Sequence, residues 1–322
     1  MTSVARVGRL GSAIVQMVRA NPVILALVAV LVFFSAFYPD RFLSPLNISA
    51  ILRQWVTLSL FALGPSIVVV TGALDLSFIG IWMLGGVLVW LLSPILGMYA
   101  ILVILVVGLV TGFLIGVVQV KARIPSFILT LSLLVIFAGL SANLSGGYPR
   151  PVRGYEFITA SLIPNVPTAV LWAIPIIAAA VFIMRRTKLG TYLYAIGSNE
   201  EGARLAGIDV DKYKIVAFTL SGLFTGVGSM VLFQHLGGAA PVELNLNNVV
   251  WPLVAIVLGG TPLVGGSGGP QRTILGALTF AAFDRGLVLT FLQPEVVKLL
   301  LGLVLLGAIA IGSRGLKGVT VS

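Results

Sequence analysis

Residues 98–120 run for 23 positions without a charged side chain, and stretches of the same kind recur along most of the chain. Such a run is long enough to cross a bilayer as a helix, for which about 20 predominantly apolar residues suffice. The apolar residues are continuous rather than alternating with polar ones. That argues against a transmembrane β-barrel and for helices, which satisfy their own backbone groups in hydrocarbon. Charged residues are 9% of the total, against about 25% in soluble domains, and mean hydropathy is +1.12. A soluble fold cannot hide this much apolar surface. The 37 glycines suit tightly packed membrane helices. The expected fold is an all-α polytopic membrane protein.

Polar breaks divide the chain into about ten expected spans: 22–38, 48–70, 78–96, 98–120, 125–143, 168–184, 215–236, 249–260, 273–291 and 295–312. The eighth is short enough to be re-entrant. Two apolar segments broken by glycine, TGALDLSFIGIWMLGG and LGGTPLVGGSGG, resemble one another loosely. With five spans on either side of a central charged segment they suggest a 5+5 inverted repeat, an arrangement in which paired broken helices mark a transport site.

The net charge of +10 does not indicate nucleic acid, because the basic residues sit at the ends of apolar runs rather than on one polar face. With the N-terminus inside, inner loops and ends hold 14 of the 20 Lys and Arg residues, and outer loops hold Arg41, Arg150 and Arg153. By the positive-inside rule both termini and the segment 185–214 are expected in the cytoplasm, and the loop 145–167 on the other side. The expected organisation is a cytoplasmic N-terminal segment (1–21), one transmembrane domain (22–312) and a cytoplasmic tail (313–322). No cleavable signal peptide is expected. There is no cysteine and one histidine, His235, so no thiolate or histidine metal site and no catalytic thiol is expected.

The segment 185–214 holds ten of the chain's 30 charged residues. Ser198 and Glu201 have the spacing of a capping box, Glu200 and Glu201 suit the positive end of a helix dipole, and Gly207 is placed to end the helix in a left-handed conformation. The result is a helix of about eight residues, too short to stand alone. Gly202, Ala203 and Ala206 would give it a face that another protein can approach. Two readings remain open on these residues: a docking helix for a soluble partner, or a loop helix lying on its own membrane domain.

Asp75 lies within apolar sequence, where an isolated charge is costly. It is expected to line a permeation route or to hold a broken helix end, and the flanking Gly72 and Ser77 favour the capping role. Asn143, Gln234 and Asn248, with Asn245 and Asn247, offer amide donors and acceptors suited to a neutral, hydroxyl-rich solute. The expected substrate pathway comprises Asp75, Ser77, Asn143, Gln234 and Asn248. Asp284 and Arg285 are expected to pair structurally with other helices, and Arg53 and Lys298 to snorkel. GGTPLVGGSGGPQR lacks the Lys-Ser or Lys-Thr of a phosphate-binding loop and reads as a site of close backbone packing.

TGALDLSFIGIWMLGG resembles the "GGxDLSxG" signature of permease subunits of bacterial sugar ABC transporters, the ribose/xylose/galactose class. TKLGTYLYAIGSNEEGARLAGIDVDKYK resembles that family's cytoplasmic segment, and VAIVLGGTPLVGGSGG its "VVLGGTSLxGGxG" run. The three motifs occur in order over nearly the whole chain. Ala73, Phe78 and Gly202 depart from the common residues. The resemblance implies an inner-membrane permease paired with a second permease chain, identical or paralogous. A periplasmic sugar-binding protein would deliver a monosaccharide, and ATP and Mg would sit on a separate cytoplasmic ATPase. The helix 199–206 would couple to that ATPase through Ser198, Asn199, Glu200, Glu201, Ala203, Arg204 and Gly207, and this chain would carry no catalytic residue, metal or cofactor. The alternatives weighed are a nucleoside or branched-chain amino acid permease, and an ion-coupled transporter, for which Asp75 and Asp284 are too few carboxylates. A membrane enzyme is a further class, and no residue cluster supports it.

Overall fold

A computed structural model describes residues 22–158, 162–238, 244–293, 295–297, 299–303 and 307. Over these residues the chain is helical, with no strand beyond an isolated bridge between Ile163 and Val166. The helices are α1 (Pro22–Phe37), the single turn α2 (Pro39–Phe42), α3 (Pro45–Val70), α4 (Ser77–Leu96), α5 (Leu102–Ala122), α6 (Ser126–Ser145), α7 (Thr168–Arg186), α8 (Lys188–Ser198), α9 (Glu200–Leu205), α10 (Val210–His235), α11 (Leu246–Leu258) and α12 (Pro270–Val288). Among the described residues five helical stretches are long and apolar enough to cross a membrane: Pro45–Val70, Ser77–Ala122, Ser126–Ser145, Thr168–Arg186 and Val210–His235. The second of these contains both α4 and α5, divided by Gly97 (φ 55) and a 3-10 turn at Gly97–Ile101. Half of the expected tenth span is described, and those residues, 295–297, 299–303 and 307, are helical; its other half, Lys298 included, the N-terminal segment 1–21 and the tail 313–322 lie outside the described residues.

Helix boundaries follow caps more closely than hydropathy. The Ser44 hydroxyl accepts from Asn47 N (3.3 Å), with proline at N1, so α3 starts before the apolar run expected from residue 48. Asp209 accepts from Lys212 N (3.0 Å) and starts α10 five residues before the expected 215. The charged residues Asp211, Lys212 and Lys214 therefore belong to the first turns of a membrane helix rather than to a loop.

The central rod is α3, buried along nearly all of 56–70 and packed against α7, α10, α11 and α12. The tightest pair is α5 with α10. Gly108, Gly112 and Gly116 lie four residues apart on α5; the first two meet Gly222 and Gly226 of α10 and the third meets Ile215, so closely that a Cβ at any of them would strike the α10 backbone. This small-residue spacing brings membrane helices into van der Waals contact where hydrophobic burial alone gives no drive. On the opposite flank, Phe34 of α1 covers Gly286 of α12.

The two glycine-broken stretches, 71–76 and 259–269, meet at one end of the bundle, where Gly266 N donates to Val70 O (2.8 Å). Repeat mates in an inverted repeat lie at opposite ends. These two breaks are therefore not repeat mates, contrary to their loose likeness in sequence.

Candidate functional site

The charged segment is built on the same end of the bundle. Thr187 caps α8, its hydroxyl accepting from Gly190 N (3.4 Å), and α8 buries Gly190, Leu193 and Ile196. Gly197 lies where a Cβ would fall on Val70 O and within 2.6 Å of Gly266 N. Tyr194 donates its hydroxyl to Gly268 O (2.8 Å) and accepts from Gln271 Nε2 (3.0 Å). One face of α8 is thereby fastened to the second break by the hydroxyls of Tyr194 and Ser198, and at Gly197 its main chain lies against Val70, at the edge of the first break, and against Gly266.

The next helix, α9, is capped by Asn199, not by Ser198. Asn199 is extended (φ −160, ψ 101) and its Oδ1 accepts from Gly202 N (2.9 Å). Ser198 still belongs to α8 and donates back to Tyr194 O (2.9 Å). The expected capping box does not form, and the Glu201 side chain makes no hydrogen bond among the described residues. Gly207 (φ 83) ends the helix as expected: its N–H reaches Arg204 O and Ile208 N reaches Ala203 O, both at 3.0 Å. Ala203 is turned inward, 5% exposed, onto Ile196 and Val210, so it does not belong to the outward face expected of it. The outward face carries Leu205, 85% exposed, a residue the motif reading passed over because it looks like core.

Ion pairs fix how α9 lies. Glu200 Oε2 binds Lys214 Nζ (2.6 Å), and Arg204 reaches Glu200 (3.5 Å) and Asp211. Hydrogen bonding to Asp211 pushes the Arg204 pKa further up, so this guanidinium stays charged. Pairs this exposed add little stability; their effect is orientation. With Gln119, Lys121 and Arg123 they line a cleft of about 670 Å³ beside α9.

Asp75 stands 1% exposed at the first break. Its Oδ1 accepts from Ser77 N (2.9 Å) and Ser77 Oγ (2.6 Å), and its Oδ2 from Ser221 Oγ of α10 (2.7 Å). Leu74 N donates to Ser126 Oγ of α6 (2.9 Å). The carboxylate thus holds the buried start of α4 and ties it to α10, deep in the fold rather than at its surface.

The other pathway candidates are dispersed. Asn143 is exposed near the end of α6, and Gln234 lies near the end of α10, beside Gly238. Only Asn248 of the five lines a pocket of about 230 Å³ between α3, α11 and α12, together with Gln54, Thr57, Asn247, Trp251 and Asp284. Asp284 finds the expected partner on another helix, Oδ2 accepting from Gln54 Nε2 (2.8 Å). Gln54 was legible by the argument used for Asp75, a polar group in apolar sequence, but Trp251 carried no signal apart from its place in the fold.

Residues 47–309 match the family model described as the permease component of branched-chain amino acid transport systems. The chain belongs to this permease family. Among its relatives, a ribose import permease protein of Haemophilus influenzae is 29% identical over 295 residues, covering 88% of this chain and 90% of the relative. A xylose transport system permease protein of Escherichia coli is 28% identical, covering 82% and 84%. A fructose import permease protein of Rhizobium meliloti is 27% identical, covering 89% and 83%. The permease is therefore a multi-pass membrane transport component, and both breaks, the α8–α9 segment and the pocket fall inside the matched region.

Proposed function

We propose that the permease is the membrane subunit of an ATP-driven importer and passes a monosaccharide across the inner membrane. The observation that carries the reading is the contact of α8 with Val70, where α3 enters the first break, and with Gly266 and Gly268 in the second. A force applied at α9 has a direct main-chain route to Val70 and Gly266. Three relatives are named for ribose, xylose and fructose, which favours a sugar over the amino acid in the family description.

In this reading α9 seats in a cytoplasmic ATPase that holds ATP and Mg, with Leu205 as apolar anchor and Glu201 as a free rim charge. A periplasmic sugar-binding protein docks on the opposite face, and a second permease chain, identical or paralogous, completes the pathway. Both termini lie in the cytoplasm. ATP drives the cycle by binding one conformation of the assembly better than the other. A 5+5 inverted repeat is supported by an exchange of contacts: α3 packs on α12, α10 on α5, and α3 and α10 on each other. That is the pattern expected when α3 corresponds to α10 and α5 to α12.

The test is capture of the ATPase by the tagged permease from native membranes. Leu205→Glu and Glu201→Arg are expected to lose most of it while helix content stays unchanged. Wild-type amounts of ATPase in both variants would overturn the coupling role.

A further inference from the structure

The pocket between α3, α11 and α12 lies far from α9. Gln54 and Thr57 precede Val70 by 16 and 13 residues, roughly 20–24 Å along the helix. Its polar groups are only partly used by the protein. Gln54 holds Oδ2 of Asp284. The other carboxylate oxygen and the side-chain amides of Asn247 and Asn248 make no hydrogen bond among the described residues. Thr57 spends its proton on Arg53 O (3.0 Å), leaving its oxygen as an acceptor. Trp251 adds an apolar wall on the α11 side.

This set selects by charge. Among the described residues no Lys or Arg lines the pocket; Arg285, next to Asp284 in sequence, is absent from its lining. An anion or an amino acid carboxylate would meet the Asp284 side chain with no described Lys or Arg in the lining to pair with it. A neutral polyol finds acceptors in Asp284 and Thr57 and both donors and acceptors in the two Asn amides. The C–H face of a sugar ring suits the indole. The volume, about 230 Å³, falls below the 300–1,000 Å³ of drug-sized sites and suits a single small ring.

We infer that this pocket is a monosaccharide-binding station within one permease chain, on the side remote from α9. The inference rests on the sugar-importer reading and names the site at which the sugar is held.

The chain's lack of cysteine makes a thiol probe clean. In the complex purified from native membranes, Thr57→Cys is labelled with N-ethylmaleimide in the presence of D-ribose, D-xylose, D-fructose or L-leucine. Leu246→Cys, exposed at the start of α11 and outside the pocket lining, is the control. At least one sugar is expected to slow labelling at position 57 several-fold and to leave position 246 unchanged, with no effect of leucine. Adding Asp284→Asn or, should that variant misfold, Asn248→Ala is expected to raise the half-protecting sugar concentration about tenfold. No protection by any of the sugars, or protection indifferent to both second substitutions, overturns the pocket. ATP-dependent uptake of the same sugars by wild-type vesicles reports on the importer reading separately. Uptake without protection removes the pocket alone, whereas uptake of leucine, with leucine protecting, removes both.

Discussion

Gly197 occupies the only space left between Val70 O and Gly266 N. Gly197→Ala is expected to cost about 1–3 kcal/mol through forced backbone displacement, seen as a lower unfolding temperature in detergent. Gly139→Ala on α6 has nothing within 4 Å of its new methyl and gains up to about 1 kcal/mol of helix propensity, so its unfolding temperature should hold or rise. Residue chemistry was legible in the sequence where burial makes it costly. Asp75 announced itself as a charge in apolar sequence, and its capping role followed from Ser77 beside it. Ser198 misled because its spacing to Glu201 fits a cap, whereas α8 runs through position 198 and leaves Asn199 as the first residue free to turn.

A short element depends on its cap. Asn199→Ala is expected to cost about 1 kcal/mol and to speed amide exchange at Gly202, whose N–H the cap holds. Ser198→Ala should leave that exchange rate unchanged, since its hydroxyl serves α8. An equal effect of both substitutions would restore the capping box. Caps also explain where element boundaries escaped the sequence. Hydropathy marks the apolar part of α10, but the helix starts at the Asp209 cap and carries its polar first turns out of the apolar region. The extent of α9 was overestimated for a related reason: Gly207 was recognised as the stop, but the start was placed one residue early.

Across the whole molecule, the membrane fold and the polar central segment were legible because both rest on composition. Which helices touch was not, since glycine spacing on α5 does not name α10 as its partner. The pairing of α5 with α10 and α3 with α12 crosses the chain's midpoint. Fragments 1–160 and 161–322, expressed together, are therefore expected to co-purify, and Gly112→Val in the first fragment should reduce the recovered partner several-fold by driving α5 off α10. Persistence of the pair with Gly112→Val would mean that the other contacts across the midpoint, chiefly those of α3 with α10 and α12, suffice. The joint at Gly197, Val70 and Gly266 has a mechanical consequence. Side-chain contacts absorb small displacements by changing rotamer, like gears with slack. Peptide planes in direct contact have no such play. A displacement of α8 at Gly197 is therefore expected to reach Val70 and Gly266 together, as through a stiff lever with little backlash.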